Sequence, residues 1–437
     1  MLESRPEGNL TSHHGHFGWR RIYRTPRSAI ATLWHAPLAN ARFVIVSGAF
    51  WTVNLAITEP YRFLFFSRLG LSPEAIGKLF SADLVIRAIG LLLSGTMMRA
   101  FGAKRMLVLA DIVSWVVPYL LLGFATQPWH AVVAVLLTSL NSFASTPYNC
   151  LLAEGMPAER RTKSYAFLHL WNMAPALLVP WLAGELINNS PFGPTLRILF
   201  LVQAGSMAVG IWFRYRKLHD LQPGSTSAKQ GLLGTLRQIV KTPGFLPSWS
   251  ALAIQGVFQS VTNAFLAIYL TRELRMSDRM PGWLAEMGAI GFAVGTLAIQ
   301  PKLKESNVPR FAAVALTIHA AAIALLLLHP SRNWTMAIWL VGGLCSAVHG
   351  AATSSLLTSA LPENARDHGF ALSYVGVHLV GALCMPLAGI LLDRRLGMFP
   401  LLVTGFLLAW AFGIWLTRTM NPVATVSTWQ PEDASQS

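Results

Sequence analysis

Apolar runs of about 20 residues, separated by short polar turns, recur from Phe43 almost to the end of this chain. A run of that length crosses a hydrocarbon core of ~30 Å, where every backbone N–H and C=O has to find its partner within the segment. The pattern predicts an all-α polytopic membrane protein. The charged fraction agrees: it is 12 %, about half that of a soluble domain. Roughly twelve spans are expected, at 43–66, 76–99, 105–126, 129–153, 165–188, 196–214, 247–271, 282–301, 310–329, 335–360, 368–391 and 399–417.

The spans fall into two related sets. The stretch Met156–Ile187 is echoed, without gaps, by Leu361–Leu392 at a shift of 205 residues. The shift places Pro157 on Pro362, Arg161 on Arg366, Ala166 on Ala371, Leu182 on Leu387, Ala183 on Ala388 and Gly184 on Gly389. Leu151 and Leu152 fall on Leu356 and Leu357. Two homologous six-helix bundles follow, at 42–214 and 246–418. A linker at 215–245, with Pro223-Gly224-Ser225-Thr226-Ser227 at its middle, joins them. Polar tails at 1–41 and 419–437 complete the division. Ser28–His35 and Leu232–Val240 suit short interfacial helices ahead of the first and seventh spans. No cleavable signal peptide is expected, since the first apolar run begins only near Phe43.

The formal net charge of +15 suggests nucleic acid at first sight, but the basic residues sit in short loops between apolar runs, as membrane topology requires. With the N-terminus inside, the cytoplasmic side takes the N-terminal arginines, Arg99, Lys104, Arg105, Arg160, Arg161, Lys163 and the basic residues from Arg214 to Lys241. It also takes Lys302, Lys304, Arg310, Arg366 and Arg418. Both termini are therefore expected in the cytoplasm, and the protein in the cell (inner or plasma) membrane. The loops at Arg272–Arg279 and Arg394–Arg395 run against that rule. Cys150, Cys345 and Cys384 lie inside spans without metal-type spacing and read as core residues. His13, His14 and His16 suit a solvated tail better than a metal site.

Six spans, a long basic linker and six more as a direct repeat resemble the major facilitator superfamily. Between spans two and three, Gly95-Thr-Met-Met-Arg99-Ala-Phe-Gly102-Ala-Lys104-Arg105 resembles that family's signature loop, Gly-x-x-x-Asp-Arg-x-Gly-Arg-Lys, with Gly295-Thr296 as its worn copy. Pro147 through Glu154, Pro157 and Arg161 resemble the end of its span four, and Ala183-Gly184 and Ala388-Gly389 its small residues in spans five and eleven. Arg99 stands where the family has Asp, a reversed charge. Span four lacks the Arg of many proton-coupled drug exporters, and span five has Ala174-Pro175 and Val179-Pro180 in place of their Gly-Pro motif. The resemblance implies a gating loop of Gly95, Arg99, Gly102, Lys104 and Arg105, in which Arg99 would bond Asp367, or Glu363, across the bundles. The alternative is that Arg99 is only a topological charge.

Ionisable residues inside spans are costly, at ~2.5–3.5 kcal/mol for a central Arg or Asp, and normally face the interior. Asp83 and Arg87 lie four apart on one face of span two and can pair there. With Glu59 and Glu286, Asp83 forms the candidate proton-coupling set, while Arg62 is expected to snorkel outward. Candidate substrate-binding residues are Asn54, Arg87, Asn141, Asn172, Gln255, Gln259, Asn263, His349 and His378. Each could equally make an ordinary interhelical hydrogen bond; their gathering near mid-depth in both halves singles them out. Small residues such as Gly90, Gly291 and Gly295 suit close helix packing. Pro60, Pro147, Pro175, Pro180 and Pro386 suit kinks.

No phosphate-binding Gly-x-x-x-x-Gly-Lys, His-Glu-x-x-His or Asp-rich prenyl-diphosphate pair is present, so an enzyme is not expected, nor a metal or other cofactor. The expected function is a secondary active transporter moving a small organic solute by alternating access, proton-coupled, with export as the first direction. The alternatives are proton-coupled uptake of a polar metabolite, and a transporter-like receptor or lipid flippase on the same fold. Expected partners are the solute, protons and membrane lipid, without nucleic acid, and the chain is expected to be monomeric.

Overall fold

The computed structural model describes residues 39–153, 168, 171, 174–220, 237, 239–242, 244–302, 308–361 and 366–420, with only the backbone at a few of them, Asp367 included. The first bundle holds α1 (Ala39–Arg68), α2 (Pro73–Phe101), α3 (Ala103–Gly123), α4 (Pro128–Leu152), α5 (Val179–Asn188) and α6 (Phe192–Lys217). The second holds α7 (Phe245–Glu273), α8 (Met280–Ala298), α9 (Val308–Leu328), α10 (Arg332–Ala360), α11 (Arg366–Arg394) and α12 (Phe399–Met420). Among the described residues, nine of these helices are long and apolar enough to cross a membrane. Each expected span coincides with one helix to within a few residues, except the fifth, of which the described helix is only the second part.

The prolines act unequally. α1 and α11 run through Pro60 and Pro386 without a break. At α5, Leu178 leaves helical geometry (φ −134°, ψ −33°) between Pro175 and Pro180, and the helix restarts at Val179. In α4, Pro147 lacks the amide that would bond the carbonyl of Phe143, and residues Leu140–Ala144 tighten into a 3-10 turn. The Ser94 hydroxyl on α2 donates to that carbonyl at 2.6 Å, so α2 satisfies what the proline leaves open.

The face where α1 begins is called here the terminal face, and its opposite the far face. One apolar core runs through both bundles, with Ile76 and Leu84 of α2 in the same cluster as Met385 and Ala388 of α11. Toward the terminal face the core divides. Val44, Leu107 and Leu151 form one cluster in the first bundle, and Phe245, Leu252 and Leu357 a separate one in the second.

Among the described residues, the ion pairs that join the bundles accordingly lie at the far face. Arg68 pairs with Asp278 at 2.5 Å and Arg279 with Glu185 at 3.8 Å. Arg272 donates to the carbonyl of Ser67 at 3.3 Å. Ser67 and Arg272 are 205 residues apart, so equivalent positions of the two halves touch, and the contact straddles the axis that relates them.

The same symmetry governs the close helix crossings. A Cβ on Gly77 would stand 2.5 Å from the Met385 carbonyl, and one on Gly282 would collide with the Pro180 carbonyl. Gly77 and Gly282, like Pro180 and Met385, are 205 residues apart. Gly184 packs on α8 and Gly389 on α2, the second helix of the opposite bundle in each case. The echo in the sequence is therefore a repeated glycine-on-carbonyl contact that lets the far face shut.

A Cβ at Gly389 would lie 2.7 Å from the Pro73 carbonyl. Overpacking of this kind costs about 1–3 kcal/mol, so Gly389→Leu is expected to depopulate the closed far face about fivefold or more. In a background without native cysteines, a cysteine at Asn263 should then react faster with an impermeant thiol reagent added from the far side. An unchanged rate would show that closure does not depend on this crossing.

Candidate functional site

Between the bundles, behind the closed far face, lies a cavity of about 330 Å³. From the first bundle it is lined by Arg62, Phe80, Asp83, Leu84 and Arg87. Counting ~1.5 Å per residue from Pro73 puts Arg87 about 21 Å along α2, near mid-depth. The Arg87 Nε donates to both Asp83 oxygens at 2.9 and 3.0 Å, and its Nη1 donates to Asn141 Oδ1 at 2.8 Å. Ser139 adds a hydroxyl donor to Asp83 at 2.8 Å. Asp83 thus holds a cation and a hydroxyl, and its one cation is shared with α4.

A second polar chain runs beside it. Glu59 pairs with Arg62 at 2.9 Å and accepts from the Tyr119 hydroxyl at 3.1 Å. Arg62 does not snorkel outward as expected. With a side chain only 15 % exposed, it turns inward against the cavity, because Glu59 lies one turn before it.

The second bundle contributes neutral groups. Gln255, Gln259 and Asn263 recur every four residues on α7 and line one side of the cavity. The Gln255 Oε1 is buried and, among the described residues, has no hydrogen-bond partner. Ser354, Tyr374 and His378 line the cavity from α10 and α11. Of the predicted residues, therefore, Asp83, Arg87, Gln255, Gln259, Asn263 and His378 come together, with Asn141 one hydrogen bond behind them.

Others lie elsewhere. Asn54 donates to Ser206 on α6 at 2.8 Å, inside the first bundle. His349 is buried within the second bundle, 3.4 Å from His319 and stacked edge-on against Trp410. Glu286 on α8 keeps a buried oxygen without a partner among the described residues and does not line the cavity. Asn172 lies outside the described residues.

In the loop after α2, Gly102 has φ +81° and the Asp220 carboxylate accepts from the Lys104 amide at 3.1 Å, capping α3. Gly95 has open space around it. Arg99 is exposed and, among the described residues, reaches Thr96 at 3.5 Å; Arg105 is exposed as well. The Asp367 side chain is outside the described residues.

A larger cavity, about 590 Å³, opens within the first bundle. Its walls include Trp51 and Thr52 of α1, Asp111 and Trp115 of α3, Asn141, Ser145, Tyr148 and Asn149 of α4, and Arg214 of α6. Arg214 was expected among the cytoplasmic topological charges, at the end of span six. It instead closes α6 from inside: its Nη1 donates to Asp111 at 2.6 Å, its Nε to Ser47 at 2.8 Å, and its guanidinium lies 3.9 Å from the centre of the Trp51 ring. Sequence reasoning missed this pair, although an acid six residues inside span three was the available signal.

The family model described as Major Facilitator Superfamily matches residues 43–261 and again 248–432. No curated protein sequence matches. A crystal structure of the nucleoside transporter NupG superimposes with a TM-score of 0.69 at 14 % identity, over 87 % of this chain and 100 % of that one. A bacterial homolog of the human lysosomal transporter Spinster, in an inward-facing and unoccupied conformation, gives 0.67 at 15 % identity, over 87 % and 98 %. A peptide transporter POT in complex with sulfate gives 0.66 at 12 % identity, over 88 % and 94 %.

Proposed function

The chain belongs to the major facilitator superfamily, and on that premise we propose a proton-coupled secondary transporter whose cavity between the bundles carries a small polar organic solute. Similar folds carry nucleosides in one named relative and peptides in another, so the solute class rests on the lining of this cavity. The observation that carries the reading is the division of that lining. One wall presents paired charges, Asp83 with Arg87 and Glu59 behind Arg62; the other presents amides, with Gln255 Oε1 lacking a donor among the described residues. A neutral or zwitterionic solute with hydrogen-bond donors fits such walls, since it neither strands a charge nor leaves the acceptor empty. Phe80, Leu84, Leu252 and Val377 also line the cavity, but an acyl chain there would leave the paired charges and amides without polar partners, which weighs against the flippase reading.

Alternating access then amounts to rocking the bundles about the far-face contacts. Basic loops set the terminal face in the cytoplasm, and the far-face ion pairs break when the outside opens. Asp83 is the coupling carboxylate of this scheme, being the acid that lines the cavity. Export in exchange for an incoming proton is the direction carried forward, with uptake by symport as its rival. Inside-out vesicles decide between them: an exporter fills them with solute when their lumen is acidified, whereas a symporter empties them. No response to the gradient in either sense would overturn proton coupling.

A further inference from the structure

The cavity of about 590 Å³ inside the first bundle is not explained by the cavity between the bundles. We infer that it is a second recognition site, which holds an uncharged planar heteroaromatic ring. Three observations carry this. Trp115 of α3 and Tyr148 of α4 supply aromatic walls from two different helices, an arrangement that can stack on a flat ring, while Trp51 of α1 beside them carries the Arg214 guanidinium on one face. Among the described residues, the charged lining residues are Asp111 and Arg214, which are bonded to each other at 2.6 Å and nearly fully buried, so neither offers an uncompensated charge to an ionic ligand. The volume lies within the range of sites for small organic ligands.

The position of the site separates its task from that of the neighbouring cavity. Among the described residues its walls come from one bundle, so rocking the bundles leaves it intact, whereas the other cavity is lined from both and is remade by rocking. A site with equal affinity in both states cannot shift them. The ring pocket therefore anchors, and the cavity between the bundles couples. Asn141 joins them, lining the ring pocket while its Oδ1 accepts from Arg87 of the coupling cavity. This rests on the transporter reading in assigning the anchored ring to the transported solute; the ring site itself does not.

The test uses the purified full chain in nanodiscs and equilibrium binding of nicotinamide, caffeine and uridine. Sucrose, p-hydroxybenzoate and tetraphenylphosphonium serve as non-aromatic, anionic and cationic competitors. At least one neutral heteroaromatic probe should bind, none of the competitors should displace it, and Trp115→Leu should weaken it about tenfold while Trp115→Phe retains most of the affinity. In a cysteine-free background, Arg68→Cys and Asp278→Cys joined by a short bis-maleimide should leave affinity within about twofold. The inference is overturned if no such probe binds, if Trp115→Leu and Tyr148→Leu leave binding unchanged, if a charged competitor displaces the probe, or if cross-linking abolishes binding. Probe binding without counterflow would refute transport and leave the site standing. Counterflow of sucrose-like solutes without probe binding would do the reverse.

Discussion

With Asp83 replaced by Asn, gradient-driven movement of solute is expected to fall to the passive level, while counterflow between equal pools of solute survives. Counterflow needs binding and rocking only; accumulation also needs a proton bound in one state and released in another. Asp83 suits that exchange because its partners are divided. Arg87 bonds it and also bonds Asn141, and Ser139 donates to it from α4. A proton arriving on Asp83 would release Arg87 toward Asn141 and the solute, which links protonation to the cavity's shape. Coupling of this kind amounts to about 1–3 kcal/mol, or roughly 5–150-fold in affinity between states. Asn keeps the size and a hydrogen-bonding oxygen but cannot carry the proton. Transport assays in proteoliposomes, with an imposed pH gradient and with equal pools, read the two quantities separately. Accumulation that persists in Asp83→Asn would move the coupling role to Glu59 or Glu286, each tested as its Gln variant.

The larger effect on stability is expected at Asp111. Its carboxylate and the Arg214 guanidinium are buried together, at 3 % and 5 % side-chain exposure. Removing one partner of a buried pair leaves the other uncompensated and costs about 3–5 kcal/mol. Asp111→Asn should accordingly lower the melting temperature in detergent markedly, with the Trp51 and Tyr148 rings and the Ser47 hydroxyl still against the arginine but no counter-charge beside it. The double variant Asp111→Leu with Arg214→Met should recover most of the loss, because two apolar side chains have no charge to strand. A single variant as stable as the parent would mean that water from the adjoining cavity solvates the guanidinium.

Hydropathy and the 205-residue echo were sufficient to read the order of the helices, the division into two bundles and, apart from the first part of the fifth, the spans. The reason is physical: hydrocarbon admits no unpaired backbone, so a long apolar run has one solution. The Asp83–Arg87 pair and the Gln255–Gln259–Asn263 row were legible too, since residues four apart share a helix face whatever surrounds them. Rotation of each helix about its own axis was not. Where a helix is apolar nearly all round, nothing in its sequence says which side meets the cavity and which meets a neighbour. Asn54 and Gln259 look alike in the sequence, yet one faces α6 and the other the cavity. Arg62 looked like a snorkelling cation and Arg214 like a cytoplasmic charge at the end of span six. Their placement was decided by carboxylates, one a turn away and the other 103 residues distant on α3. Only the packed bundle brings Asp111 and Arg214 together, because burying either charge is favourable only when the other is already there.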